Sequence, residues 1–205
     1  MKSSTRFWMW TSLGFLMILP IVSAQTSKAQ PPKAELVLED PSERKQDIAQ
    51  FRGSVLVLLY GDKDGMAANK SLGEKLHVHY HPTAKGLPPG QAMKAPVSPV
   101  PGISNGQASP DVRVVPVACI GKVPDVVKSI IRGRIKKEAA ETGVLLDFEN
   151  KMKEQFGLKE GQPNLVVIDA QGRVRMKIGG ELDEQNYAQL LQAVDFLRKE
   201  AAGVK

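Results

Sequence analysis

Apolar positions along the chain follow two rhythms, unbroken runs and helical stripes, which alternate as in a sheet covered by helices. Val55-Leu56-Val57-Leu58-Leu59-Tyr60 is continuous and β-rich, which predicts a strand buried on both faces, and Asn164–Asp169 reads the same way. Ala34–Glu39 alternates, with Leu36 and Leu38 on one side, and predicts a short half-exposed strand. Val112–Ile120 predicts another, whose Pro116 implies an edge position or a bulge. Val144–Asp147 is a short strand, and the strict alternation of Arg173–Ile178 marks a strand wet on one side.

Helical spacing fills the gaps. Met66, Leu72 and Leu76 stripe a helix over 64–76 with Asp64 as its N-cap. Val126, Val127, Ile130, Ile131 and Ile135 stripe a second, with Pro124 in its first turn and Gly143 at its end. Lys151–Phe156 makes one or two turns. Tyr187, Leu190, Leu191, Val194 and Leu197 stripe the last helix over 183–201. The fold class is therefore α/β, a central mixed sheet flanked by helices in one domain over 34–205. Residues 82–111 interrupt the pattern: they hold seven of the chain's 14 prolines and no apolar period, which predicts a long, exposed, extended insertion between the first helix and the next core strand.

The beginning of the chain reads as an export segment. Lys2 and Arg6 precede the apolar stretch Phe7–Val22, and Val22-Ser23-Ala24 forms a small-residue cleavage pattern before Gln25, so 1–24 is a signal peptide and 25–33 an exposed leader. An uncleaved inner-membrane anchor over 7–24 is the competing reading. The expected location is the periplasm, with no stable membrane insertion after cleavage. The chain carries 28 Lys and Arg against 22 Asp and Glu, a formal net charge of +6, and cleavage removes two of the basic residues. That excess is too small and too dispersed to argue for nucleic acid.

Cys119 is the one cysteine, so an internal disulfide is impossible. As a weak catalytic candidate it lies near Lys122 and a helix start, which would lower its pKa; as a small hydrophobe in Val-Ala-Cys-Ile it would be buried and inert. All three histidines fall in His77-Val78-His79-Tyr80-His81. If extended, the segment puts the rings on one face about 6.6 Å apart per two residues, close enough for two of them to share a transition metal. The cluster also reads as a pH-sensitive hinge or a solvated strand end. Asp62, Lys63 and Asp64 offer paired carboxylates for acid-base work or a charged, capping turn. Lys128, Arg132, Arg134, Lys136 and Lys137 give a helix a basic flank for an acidic protein or anionic lipid, or simply a solvated face. No cofactor other than such a metal is implied.

The order of elements, together with Leu36–Asp40, Phe51–Leu59, Pro163–Val174 and Gly179-Gly180, resembles the redoxin branch of the thioredoxin fold, the peroxiredoxins and thiol-disulfide oxidoreductases. The resemblance covers 34–200 apart from the insertion and specifies a fold better than a function. It places Asp64 and Ala67 where the oxidoreductases carry their two cysteines, and the peroxiredoxin Pro, Thr or Ser, and Cys pattern is missing too. It also implies that Gln162-Pro163 is the X-Pro bond, usually cis, beside which substrate backbone pairs. Val114–Val117, Val123-Pro124 and the basic helix ending near Lys137 make the chain resemble the exported, cysteine-less YtfJ-like proteins. The expectation is a non-catalytic binding or assembly accessory whose partner, an exported protein or peptide, contacts Asp64, Ala67, Gln162 and Pro163. The alternatives are a Cys119-dependent peroxidase or thiol oxidoreductase and a metal protein built on His77, His79 and His81.

Overall fold

The computed structural model describes residues 31–103, 107–139 and 142–204. The expected export segment, the Gln25 start and most of the leader lie outside them. Strands β1 (Val37–Glu39), β2 (Lys45–Asp47), β3 (Val55–Gly61), β4 (Val112–Cys119), β5 (Leu145–Asp147), β6 (Asn164–Ile168) and β7 (Val174–Gly179) form one mixed sheet in the order β2-β1-β5-β4-β3-β6-β7. The helices are α1 (Gly65–Tyr80), α2 (Pro89–Ala92), α3 (Asp125–Ala139), α4 (Lys151–Phe156) and α5 (Glu184–Ala202). This is the expected α/β class, with a thioredoxin-like core: α1 crosses from β3 to its parallel neighbour β4, β6 lies antiparallel on the other side of β3, and a β6–β7 hairpin precedes the last helix.

β3 is buried along its whole length because it is central and covered on both faces. Leu56, Leu58 and Tyr60 meet Met152 and Phe156 of α4 and Ile48 of a 3-10 turn, while Val55, Val57 and Leu59 meet Leu76 and Tyr80 of α1 and Leu190 and Val194 of α5. Each such fully buried side chain contributes about 1.5–3 kcal/mol of apolar transfer free energy. α3 is attached more lightly: Ile131 and Ile135 pack towards Ala118, Leu146 and Phe148, yet no residue of the helix is fully buried.

The structure departs from several of these expectations. His77–Tyr80 is the last turn of α1, with His81 as its C-cap, so the segment is not extended. Leu76 and Tyr80, four residues apart and 0% and 1% exposed, anchor one helix face, and nothing breaks the helix before Pro82. At Gly73 of α1 a Cβ would come within 3.0 Å of Leu59 Cδ1, so the glycine lets the helix approach β3. The insertion 82–111 is not a free extended loop. It forms a 3-10 turn at Pro82–Ala84 and the short α2, buries Ala84 and Val100, and is tied down by the Arg198 guanidinium, which donates to the carbonyls of Ser98 and Pro110. The end of the leader joins the sheet, since Lys33 bridges Arg173. Lys45–Asp47, which carries no apolar residue, forms the strand β2 by pairing antiparallel with β1.

Candidate functional site

The β3–α1 junction is organised by Asp62. Its Oδ1 accepts the Gly65 N–H at 3.0 Å, its backbone carbonyl accepts the Met66 N–H at 3.1 Å, and its Oδ2 accepts the Gly161 N–H at 2.6 Å. Asp62, not Asp64, therefore caps the start of α1; Asp64 makes no side-chain cap bond. The bonds from Gly161 and Gly65 hold the Asp62 carboxyl below the usual carboxylate range. The same side chain ties the helix start to the loop before β6, 99 residues later.

That loop closes tightly on α1. A Cβ on Gly65 would lie 2.3 Å from the Gln162 carbonyl oxygen, so only glycine fits. No described peptide bond is cis, Gln162–Pro163 included, which corrects the expectation carried by the resemblance. Pro163 is buried, and its carbonyl accepts the Gly180 N–H at 2.8 Å. The Gln162 carbonyl accepts Asn164 Nδ2 at 2.9 Å and its N–H donates to Lys159 O at 3.3 Å. The backbone groups beside the proline are thus occupied within the chain, while Asp64, Ala67 and the Gln162 side chain are exposed on the same end of the sheet. Beneath them Asn69 is 1% exposed, and neither amide atom has a protein partner among the described residues.

Cys119 ends β4 opposite Asp147 and next to the core. Burial, and then the negative charge of Asp147, pushes its thiol up to about 12, so its thiolate is scarce at neutral pH. The expected activation by Lys122 is replaced by carboxylates on the acid side of the balance, with Asp62 adding to Asp147.

The histidines do not converge. His77 and His81 stack one helical turn apart, centroids 4.4 Å, whereas His79 is exposed and edge-on to Tyr80. His81 contacts Asp111 Oδ1 at 2.9 Å and His77 O at 3.2 Å, and His77 Nε2 contacts Ala92 O at 2.9 Å. Among the described residues no group of three or more His, Cys, Asp or Glu side chains is placed to hold a metal ion. The basic flank of α3 is largely paired: Lys128 with Asp125, Arg132 with Glu39 and Glu43, Arg134 with Glu138. Its uncovered character is apolar, with Val126 74% and Ile130 66% exposed.

Sequence reasoning named Asp62 as one of several turn carboxylates and missed its two-ended role, along with Gly65, Gly161 and Asn69. The signal was the pair of glycines: Gly65 immediately after a capping turn and Gly161 just before the X-Pro bond.

No family model matches the chain, and no curated protein matches it. Solved structures similar to it include the exposed lipoprotein thioredoxin of Streptococcus pneumoniae, at 15% identity over 78% of this chain and 99% of that one with a TM-score of 0.48. Others are a DsbF homologue from Corynebacterium diphtheriae, at 16% identity over 87% and 98% with a TM-score of 0.48, and a thioredoxin-family thiol:disulfide interchange protein from Chlorobium tepidum, at 14% over 82% and 99% with 0.47. With one cysteine in 205 residues, this chain has no CxxC pair. Among the described residues no helix is long and apolar enough to cross a membrane.

Proposed function

We propose that this is an exported thioredoxin-fold protein that works without thiol-disulfide turnover, as a binding or assembly accessory for another exported protein in the periplasm. The observation that carries the reading is the β3–α1 junction. The helix start is held by a carboxylate bonded at both oxygens, and the chain's one thiol is half-buried among acids. α3 shares a core cluster with Met66 of α1 through Ile131 and Ile135, and its Val126, Val127 and Ile130 are exposed, as are Asp64 and Ala67 at the start of α1. Uncovered apolar side chains rimmed by charge are what a docking surface offers. Export rests on Lys2, Arg6, the apolar stretch and the Ala24 pattern, and the YtfJ-like character on Val114–Val117 and Val123-Pro124.

The test is site-specific photocrosslinking from position 126 in the producing cell, with insulin reduction measured beside it. A discrete crosslinked partner that is lost with Ile130→Asp and with Asp64→Lys, and no insulin turnover, is the expected result. Crosslinks that survive both substitutions, or catalytic reduction of insulin, would overturn the proposal.

A further inference from the structure

The sheet has a notch. β4 runs from Val112 to Cys119 and pairs with β3 over Val112–Ala118, but β5 covers only Val117–Cys119. The Val55 N–H donates to the Asp111 carbonyl, so the odd-numbered residues at this end of β4 direct their backbone groups to β3 and the even-numbered ones face away. On that far side the Val112 N–H is taken by its neighbour's Asp111 Oδ1 at 2.7 Å, and Pro116 has no N–H. The Val112 carbonyl and both backbone groups of Val114 are left facing a gap where no described strand lies.

The gap is a cavity of about 370 Å³, within the range of ligand sites. Val112, Val114, Phe51, Met93 and Leu145 give it apolar walls on both sides of the sheet plane. Its charged lining is mostly basic, with Arg44, Arg113 and Lys136 against Asp40 alone. Arg44 is neutralised by Asp40 and Arg113 by Asp111, whereas Lys136 has no ion pair with a described residue.

We infer that this notch is a second binding site, which takes an extended peptide segment of a partner protein as an added strand along β4, with a carboxylate side chain of the segment on Lys136. The backbone groups facing the gap supply the pairing, the apolar walls receive alternate side chains, and the Lys136 ammonium selects acidic over basic segments. Val112–Pro116 offers about 17 Å of edge at about 3.3 Å per residue, the length of a pentapeptide strand. The site lies at the end of β4 away from Cys119 and stands apart from the junction surface proposed above.

Two pools of N-acetylated, C-amidated pentapeptides test it against the full chain, one built from Val, Leu, Thr, Glu and Asp, the other with Lys and Arg in place of the acids. The acidic pool binds with an apparent Kd below about 1 mM, at least about tenfold tighter than the basic pool, and slows hydrogen exchange at the Val114 amide. Lys136→Glu, on an exposed helix position, reverses the preference. Val114→Pro, which deletes the amide, weakens binding of the acidic pool. Ile130→Asp leaves it unchanged, which separates this site from the junction. Absence of binding by the acidic pool, or binding that neither protects Val114 nor responds to Lys136→Glu, would overturn the inference.

Discussion

The two halves of β4 share one strand and opposite surroundings. Val117–Cys119 lies between β3 and β5 and leads to the junction, where Asp62 has both oxygens engaged and Gly65 is pressed against Gln162. Val112–Pro116 has β3 on one side and a cavity on the other. In a thioredoxin-like sheet the first end is where reactivity would be expected. Here that end is closed by internal hydrogen bonds, and unspent backbone capacity sits at the opposite end.

The sharpest way to break this contrast is Gly65→Ala. The added carbon would overlap a backbone carbonyl that cannot rotate away, so the loop before β6 must shift and the Asp62–Gly161 bond must stretch. The expected loss is about 3 kcal/mol by urea unfolding. Alanine at the free end of a slack helix start would cost nothing, so an unchanged midpoint would mean the closed end is not closed.

A matched pair comes next. Val117 is 0% exposed between two strands, whereas Val114 is only part-buried beside the cavity. Val117→Ala is expected to cost about 2–3 kcal/mol and Val114→Ala about 1 kcal/mol. Equal losses would show that the notch is filled in solution.

Asp62→Ala removes the helix cap and the cross-link to Gly161, an expected cost of about 1–2 kcal/mol at pH 7. The sign with pH follows from the lowered carboxyl: its contribution is present above the unfolded value of about 3.9 and is lost as pH falls through the lower folded value. The gap between wild type and variant, measured by thermal melts from pH 7 to 3, therefore closes only at the acid end.

Much of this contrast was out of reach of the sequence for identifiable reasons. Strands β3 and β6 were legible because their apolar runs are continuous, β4 because valines dominate it, and α5 because its stripe is regular and its Asp183 cap accepts the Asn186 N–H as such caps do. The histidine segment misled because His-Val-His-Tyr-His alternates like a strand, while Leu76 and Tyr80 four residues apart carried the helix. Asp62 and Asp64 are equivalent as composition; which one caps is decided by Gly161, a tertiary neighbour that no local pattern reveals. Pro116 was read as an edge or bulge residue, but β4 is interior in strand order and its register with β3 is unbroken; the proline is tolerated because β5 stops one residue short of it.

A smaller effect is expected at the histidine pair, above the open half of β4. Burial, opposed by the contact with Ala92 O and reinforced by the His81 ring, lowers the His77 pKa, while Asp111 works to raise it and Arg113 to lower it. A lowered histidine pKa means that the unfolded chain binds the proton more readily, so stability declines as pH falls below about 6.5. His77→Gln should flatten the stability curve between pH 6.5 and 5, read by urea midpoints. A slope that stays unchanged would place the acid sensitivity elsewhere.

The smallest effect distinguishes the halves most cleanly. In a sheet interior a proline deletes a ladder hydrogen bond, and restoring the N–H should stabilise the protein by about 1 kcal/mol. Pro116 faces the side of β4 where β5 has not yet begun, so the restored N–H of Pro116→Val would meet the cavity rather than a carbonyl. Valine gains strand propensity and loses the proline's restriction of the unfolded chain, two terms of a few tenths of a kcal/mol that oppose each other. The expected change is within about 0.5 kcal/mol, with rapid exchange of the new amide. A protected amide at position 116, accompanied by a gain of 1 kcal/mol or more, would show that the strand beside β4 extends further than β5 does and that the notch is shorter than the open half of β4 implies.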